Sequence, residues 1–156
     1  MAYGQGTDPR GVALLAGAYV KGPGKIISYQ QDEDAVKLCE AGEFPLGISA
    51  GEGSRAAGGA YDASGATVSF YPLGATLMVQ AVNGETWETG EIAYCGANGL
   101  VTKTASSNKK LGIYVGATMG SATAALVVNG AGDSGATEGQ MIPIATAGYE
   151  VGEQAS

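Results

Sequence analysis

The 156-residue chain contains no histidine, and charged residues make up only 15% of it. Histidine is the commonest general base and a frequent zinc ligand, so its absence removes the usual catalytic triads and most zinc sites. The sequence also lacks a GxSxG nucleophile motif and a GxxxxGK phosphate-binding loop. We therefore expect a protein that is not an enzyme and that has no catalytic residue, metal site or cofactor.

Cysteine is also scarce, since Cys39 and Cys95 are the only two and no CxxC motif is present. Their neighbours alternate between polar and apolar residues, which is typical of buried strands. This context favours two buried free thiols, and it leaves a disulfide between them open.

Basic residues are few, at 8 against 15 acidic ones, and the net charge is −7. A nucleic acid or an anionic membrane is therefore not expected as a partner. Lys103, Lys109 and Lys110 gather near one loop, and residues 32–34 form an acidic cluster. No aromatic residues interleave the lysines, and the acidic cluster lacks the glycine and distal glutamate of an EF-hand. We interpret both groups as solvated turns.

No long hydrophobic segment is present. The apolar run 11–20 is too short to span a bilayer, and it follows Asp8, Pro9 and Arg10 rather than a basic segment. We expect the protein to be made in a cytoplasm and kept there or assembled into something larger.

Glycine is abundant, with 27 residues, and hydrophobic residues make up 45% of the chain. Short alternating segments are separated by glycine-rich turns, and no segment has a helical period. The pattern predicts about ten short strands. They fall at 12–20, 25–30, 36–39, 44–49, 67–71, 76–82, 91–95, 100–104, 111–115 and 123–128.

The chain aligns with itself when it is shifted by 65 positions, with six identities in 22 positions. The aligned pairs are Ile27 with Ile92, Tyr29 with Tyr94, Val36 with Val101, and the LGI triplet at 46–48 with that at 111–113. A shift of 56 continues the match, because Ala66, Thr67 and Gly74 align with Ala122, Thr123 and Gly130. The matched Gly47 and Gly112 are candidates for strand bends. We predict an all-β protein, a small β-barrel or β-sandwich built from two pseudo-repeated antiparallel units, 11–74 and 75–130.

Three segments lie outside this regular pattern. Residues 1–10 lack periodicity and are expected to form an extended N-terminal arm. Residues 49–65 form a loop that only the first unit carries, and residues 131–156 form a C-terminal extension. Pro143 lies in an apolar island of this extension, which we expect to form an edge strand because proline cannot donate to a ladder.

Six residues are candidates for contact with a partner, and no residue is a candidate for catalysis. The arm contributes polar and aromatic side chains with no local core to join, and the loop contributes one cation and one aromatic ring. Trp87 is either a cap over the end of the barrel or an exposed anchor. The six are Tyr3, Asp8, Arg10, Arg55, Tyr61 and Trp87.

Three segments resemble a known family: PLGISAG at 45–51, GETWETGEIAYCGANGLVTKTASSNKKLGIYVGAT at 84–118 and ATAALVVNG at 122–130. They are similar to the small bacteriophage capsid decoration, or cement, proteins that are often known only as a domain of unknown function. That family has a typical spacing of glycines and strand residues. This chain matches it at Gly90, Tyr94, Gly99, Val101, Thr102, Gly112 and the ending at 126–130. The resemblance covers roughly residues 11–130.

The resemblance implies a structural virion protein that binds the outer surface of the phage head and stabilises the capsid. It implies two partners, the major capsid protein and further copies of the chain in a homotrimer at three-fold positions. It also implies that the N-terminal arm reaches across capsid subunits, and that no catalytic residue carries over. The loop at 49–65 and the long tail depart from the family pattern.

Two alternatives share this composition. An adhesion or carbohydrate-binding β module would use Tyr61 and Trp87 to stack on sugars. A tail or baseplate structural subunit would differ only in what it assembles on.

Overall fold

The computed structural model describes residues 9–55, 66–116, 126–127 and 140–146. These residues form β-strands and one short 3-10 helix, Ala97–Gly99, and contain no α-helix. No helix in the described part of the chain is long and apolar enough to cross a membrane. The prediction of an all-β fold made of antiparallel sheets is confirmed.

The first half of the chain forms a five-stranded sheet and a small ribbon. Its strands are β1 (Arg10–Ala13), β2 (Tyr19–Val20), β3 (Ile26–Gln30), β4 (Ala35–Leu38), β5 (Pro45–Ser49), β6 (Gly53–Ser54) and β7 (Thr67–Pro72). The sheet has the order β1-β7-β5-β3-β4, and β2 pairs with β6. We call these seven strands the first unit.

The second half repeats this arrangement strand for strand. Its strands are β8 (Thr76–Gln80), β9 (Thr86–Trp87), β10 (Ile92–Cys95), β11 (Val101–Thr102), β12 (Lys110–Tyr114), β13 (Leu126–Val127) and β14 (Met141–Ala145). The sheet has the order β8-β14-β12-β10-β11, and β9 pairs with β13. These strands form the second unit, and the two strand orders confirm the internal duplication.

Each sheet is curled until its two ends meet at one point. Leu14, just after β1, makes an isolated parallel bridge to Val36 of β4, and Ala81 makes the same bridge to Val101 of β11. A single bridge joins the ends, so neither sheet is a closed barrel. Such curling buries the inward side chains of a short sheet without a second layer.

Gly47 and Gly112 hold equivalent positions in β5 and β12. A Cβ added to Gly47 would lie 2.5 Å from the Tyr71 carbonyl oxygen, and one added to Gly112 would overlap the Ala145 carbonyl. Only glycine allows such a close approach of neighbouring strands. Both positions were predicted as candidates for strand bends, and the structure shows that atoms of a neighbouring strand occupy the place of a side chain there.

The shift of 65 misaligns two of the six identities by one residue relative to the pairing of the strands. Ile26 pairs with Ile48 in the first unit, as Ile92 pairs with Ile113 in the second. The ladder therefore equates Ile92 with Ile26 rather than with Ile27, and Tyr94 with Ser28. Five residues separate Cys95 from its partner Val101, whereas six separate the equivalent Tyr29 from Val36, which accounts for the difference. Val36 and the LGI triplet keep the shift of 65.

The predicted continuation at a shift of 56 is wrong. The counterpart of β7 is β14, since Val68 and Phe70 occupy the buried positions that Ile142 and Ile144 occupy in the second unit. The second unit therefore has the longer connection before its last strand, not the shorter one. It also extends to residue 145, which adds part of the predicted C-terminal extension to the sheet.

The edge-strand prediction for Pro143 is also wrong. The strand β14 lies between β12 and β8, and Pro143 pairs with Met78. Proline is tolerated there because β12 pairs with β14 only through Ile144 and Ala145, beyond the proline. The Pro143 carbonyl still accepts a hydrogen bond from the Val115 N–H at 3.2 Å.

The predicted arm and first strand have different boundaries in the structure. Arg10 pairs with Phe70 in β1, so it belongs to the sheet and not to an arm. Residues 1–8 lie outside the described residues. The predicted strand 12–20 is divided, because Gly17 takes a positive φ of 82° in a turn between β1 and β2.

Candidate functional site

The two units meet in a shared hydrophobic core. Ile26, Cys39 and Ile48 of the first unit are at most 1% exposed, and they belong to the core cluster that contains Trp87 and Cys95 of the second unit. A separate cluster fills the interior of the first sheet. Alternate faces of β3 therefore serve two cores, one within the unit and one between the units.

Backbone hydrogen bonds fix the two units against each other. The Gln80 N–H donates to the Gly24 carbonyl at 2.7 Å, and the Gly99 N–H donates to the Cys39 carbonyl at 2.8 Å. Gly99 has a positive φ of 70°, and a Cβ there would lie 2.7 Å from the Ile26 carbonyl oxygen. We call this interface between the two units, where Gly24, Ile26 and Cys39 meet Gln80 and Gly99, the joint.

The two cysteines are free and buried at the joint, as the sequence favoured. The Cys95 thiol contacts the Cys39 sulfur, and this hydrogen bond together with burial raises the pKa of Cys95. The Cys39 sulfur also lies 3.6 Å from the carbonyl oxygens of Glu40 and Glu43. A raised pKa keeps the Cys95 thiol protonated, which is the opposite of what an attacking nucleophile requires.

A surface cavity of about 370 Å³ opens along one side of the joint. The first unit contributes Pro23, Gly24, Ser49 and Tyr71, and the second contributes Thr76, Leu77, Met78 and Met141. Met78 is 49% exposed and Met141 37%. Among the described residues that line it, Tyr71 is the only titratable one, so the cavity offers apolar contact and hydrogen bonding. Methionines adapt their shape to different partners, which suits this cavity to binding.

Near the joint, the carboxylate of Glu43 holds a loop in place by accepting three hydrogen bonds. Glu43 Oε1 accepts hydrogen bonds from Lys37 Nζ at 2.9 Å, the Glu40 N–H at 2.8 Å and Ser28 Oγ at 3.0 Å. Partial burial would raise the pKa of Glu43, but these hydrogen bonds outweigh it and lower the pKa. A carboxylate so engaged is an unsuitable general base.

A second ion pair lies on the second unit. Glu91 and Lys103 are 2.6 Å apart, and the Glu88 N–H also donates to Glu91 at 2.6 Å. Desolvation raises the pKa of Glu91, and the bonds from Lys103 and the Glu88 N–H lower it by more. The ion pair therefore holds Lys103, one of the three lysines predicted to lie in a solvated turn, beside Glu91, which directly precedes β10.

Three of the six predicted contact residues lie in the described part of the chain. Arg10 is exposed in β1 at the end of the first sheet. Arg55 is partly buried, and its guanidinium donates to the Leu14 carbonyl at 2.7 Å, so it braces the β1–β2 turn. Tyr3, Asp8 and Tyr61 lie outside the described residues.

Trp87 is fully buried, so its interpretation as an exposed anchor is wrong and its interpretation as a core or cap residue holds. It packs on Tyr114 with ring centroids 5.7 Å apart. Its Nε1 is buried without a hydrogen-bond partner among the described residues. A ring in this position is not available to stack on a sugar or to reach a partner.

Sequence reasoning missed three exposed apolar side chains: Phe44, Met78 and Met141. Phe44 is 65% exposed, and Lys109 Nζ lies 4.6 Å from its ring centroid. The alternation in TLMVQ would have placed Met78 on the outer face. The joint itself has no signal in one sequence, because it depends on how the two units pack.

No group of three His, Cys, Asp or Glu residues that could hold a metal ion occurs in the part of the chain that the structure describes. Comparison with known proteins adds no relative, since no family model, no curated protein and no solved structure matches the chain. The cavity at the joint is lined mainly by apolar side chains and backbone groups.

Proposed function

We propose that this chain is a structural virion protein that binds the outer surface of a phage head and stabilises the capsid, as a homotrimer at three-fold positions. Its partners are the major capsid protein and further copies of itself, without nucleic acid or membrane. The observation that carries the proposal is the duplicated unit, with one strand order in both halves. A protein built from repeated rigid units suits repetitive contact with a lattice.

The candidate surfaces support the same proposal. The cavity at the joint presents two exposed methionines, and Phe44 is a further exposed apolar side chain. Apolar side chains surrounded by polar groups are typical of protein–protein contact sites. The resemblance of residues 11–130 to capsid decoration proteins points to a phage head as the partner.

The test mixes the purified chain with expanded phage heads that lack their decoration protein and measures co-sedimentation. We expect saturable binding and a higher temperature of head disruption. Heads that neither retain the chain nor gain stability would refute the function.

The predicted contact role of Tyr3 and Asp8 is tested by removing residues 1–8, which leaves Arg10 and β1 intact. We expect the truncated chain to melt like the full chain and to lose head binding. A matched control, Gly51→Ala, changes a described surface position with open space around it. Head binding by the truncated chain at wild-type strength would refute the role of this segment.

A further inference from the structure

The joint connects two different faces of the repeated unit. The first unit contributes Ile26 and Ile48, which pair across β3 and β5, and we call this the isoleucine face. The second unit contributes the turn 97–99, whose Asn98 N–H donates to Glu40 Oε1 at 3.3 Å, and we call this the turn face. Each unit has both faces, because the units share one fold.

Among the described residues, no second joint covers the isoleucine face of the second unit. Ile92 and Ile113 pair in the same way as Ile26 and Ile48. Ile26 and Ile48 are at most 1% exposed, whereas Ile92 and Ile113 are both partly exposed. This difference in exposure arises because the joint covers the isoleucine face of the first unit but not that of the second.

The turn face of the first unit is also open. Residues 32–34 occupy the place of the turn 97–99, and all three are exposed. Asp34 has a φ of 51° where Gly99 has 70°, so the two turns share a left-handed conformation. Each face therefore occurs twice in one chain, with one copy in the joint and the other copy outside it.

The joint is not a two-fold contact. A two-fold axis would mirror the Gly99–Cys39 hydrogen bond as a contact between Asp34 and Thr104, and the described residues show no such contact. An interface between two different faces adds copies in one direction, and it forms either a closed ring or an open filament.

The arrangement around the turn loops favours the ring. Gly42 approaches Ser107, its own counterpart at a shift of 65, with a distance of 3.9 Å from an added Cβ to the Ser107 oxygen. Phe44 likewise contacts its counterpart Lys109. Residues meet their own counterparts only near the rotation axis that relates the units. The same closeness limits the rise along that axis, as a closed ring requires.

Charge complements shape at the two open faces. In the joint, the turn 97–99 lies against Glu40, whose counterpart is Ala105. On the open isoleucine face, Ala105 lies within the loop that carries Lys103, Lys109 and Lys110. The turn that would dock there is the acidic segment 32–34. Opposite charges would then meet where, in the internal joint, the Asn98 N–H meets the Glu40 carboxylate.

We propose that the joint is repeated between chains, with the isoleucine face of the second unit binding the turn face of the first unit of another copy. Chains then assemble head to tail into a closed ring in which every unit has the same surroundings. The inference rests on the proposed function only for the number of copies, three, which would place six units around the axis.

The experiment measures native mass by light scattering over a concentration series of the full chain. Wild-type protein is expected at a fixed multiple of 15.5 kDa. Reversing the acidic turn with Asp32→Lys and Glu33→Lys, or the basic loop with Lys109→Glu and Lys110→Glu, should weaken association roughly tenfold or more. Combining the four substitutions restores opposite charges and should restore the mass.

Two further variants make the test specific. Ile113→Asp places a charge on the open isoleucine face and should give a monomer, whereas Glu52→Lys, on the β2–β6 ribbon, should leave the mass unchanged. A wild-type monomer at every concentration would overturn the inference. A multimer whose mass is the same in all variants would also overturn it. So would a combined variant in which the reversed charges fail to restore the mass.

The outcome is separable from that of head binding. A ring that does not bind heads refutes the proposed function and keeps this inference. A monomer that decorates heads does the reverse.

Discussion

Replacing Gly112 or Gly47 with alanine tests the packing of the two sheets at equivalent points. The new methyl group at Gly112 would overlap the Ala145 carbonyl, which is backbone and cannot rotate away. At Gly47 it would lie 2.5 Å from both the Phe70 ring and the Tyr71 carbonyl oxygen. Overpacking of this kind costs about 1–3 kcal/mol, and we expect Gly112→Ala at the upper end because every near atom there belongs to β14.

In a chain of this size, 1 kcal/mol corresponds to roughly 2–4 °C in Tm. We therefore expect Tm to fall by about 2–12 °C in either variant, measured by calorimetry or by circular dichroism. Gly11→Ala and Gly51→Ala are matched controls, since a Cβ at either position meets nothing within 4 Å. The controls should melt at or slightly above the wild-type Tm, because alanine restricts the unfolded chain.

A Gly112→Ala variant that melts together with these controls would refute the close approach of β12 and β14. A loss at Gly47 alone would show that the two units are packed differently.

Three further outcomes follow from buried and paired groups. Trp87→Ala should destabilise the fold by about 3–5 kcal/mol in urea titration, and a smaller loss would place the ring outside the core. Cys39 and Cys95 should resist a thiol reagent until the chain unfolds, and stability should fall as pH rises above the ordinary thiol value of 9.0, because the folded pKa of Cys95 is raised. The folded pKa of Glu43 is lowered from 4.5, so Glu43→Gln should reduce the loss of stability on acidification below that pH, and an unchanged acid profile would contradict this.

The repetition of strands was predictable wherever a glycine or a buried apolar residue had to be the same in both units. Gly47 and Gly112 are such positions, because neighbouring backbone fills the space of their Cβ. Val36 and Val101 are others, since each receives the bridge that curls its sheet. Identity survives where packing tolerates little change.

The last strand of the second unit was not predictable from the same signal. The connection between β12 and β14 is longer than that between β5 and β7, and connections accept insertions at little cost in loop entropy. Pro143 added a misleading cue, because the pairing of β12 stops before it reaches the proline. Position in a sheet depends on distant partners, which local sequence does not encode.

The surfaces were least predictable. Trp87 carries the largest apolar ring in the chain and lies between two glutamates in a turn-rich segment, yet the β9 strand turns it into the core. The joint arises from residues of β3, β5 and the turn 97–99, which are far apart in the sequence. No single-chain periodicity marks a face that is buried only by another unit.

The connection between the two units has a consequence for how the protein is made. Strand β7 ends at Pro72 and β8 begins at Thr76, and the Gly74 N–H donates to Thr146 Oγ1 at 2.9 Å. Three intervening residues span at most about 10 Å, so the second unit is held beside the first unit of its own chain. The tether sets a very high effective concentration for the joint, which forms without a bimolecular step. We therefore expect the two halves of one chain to dock on each other before chains associate.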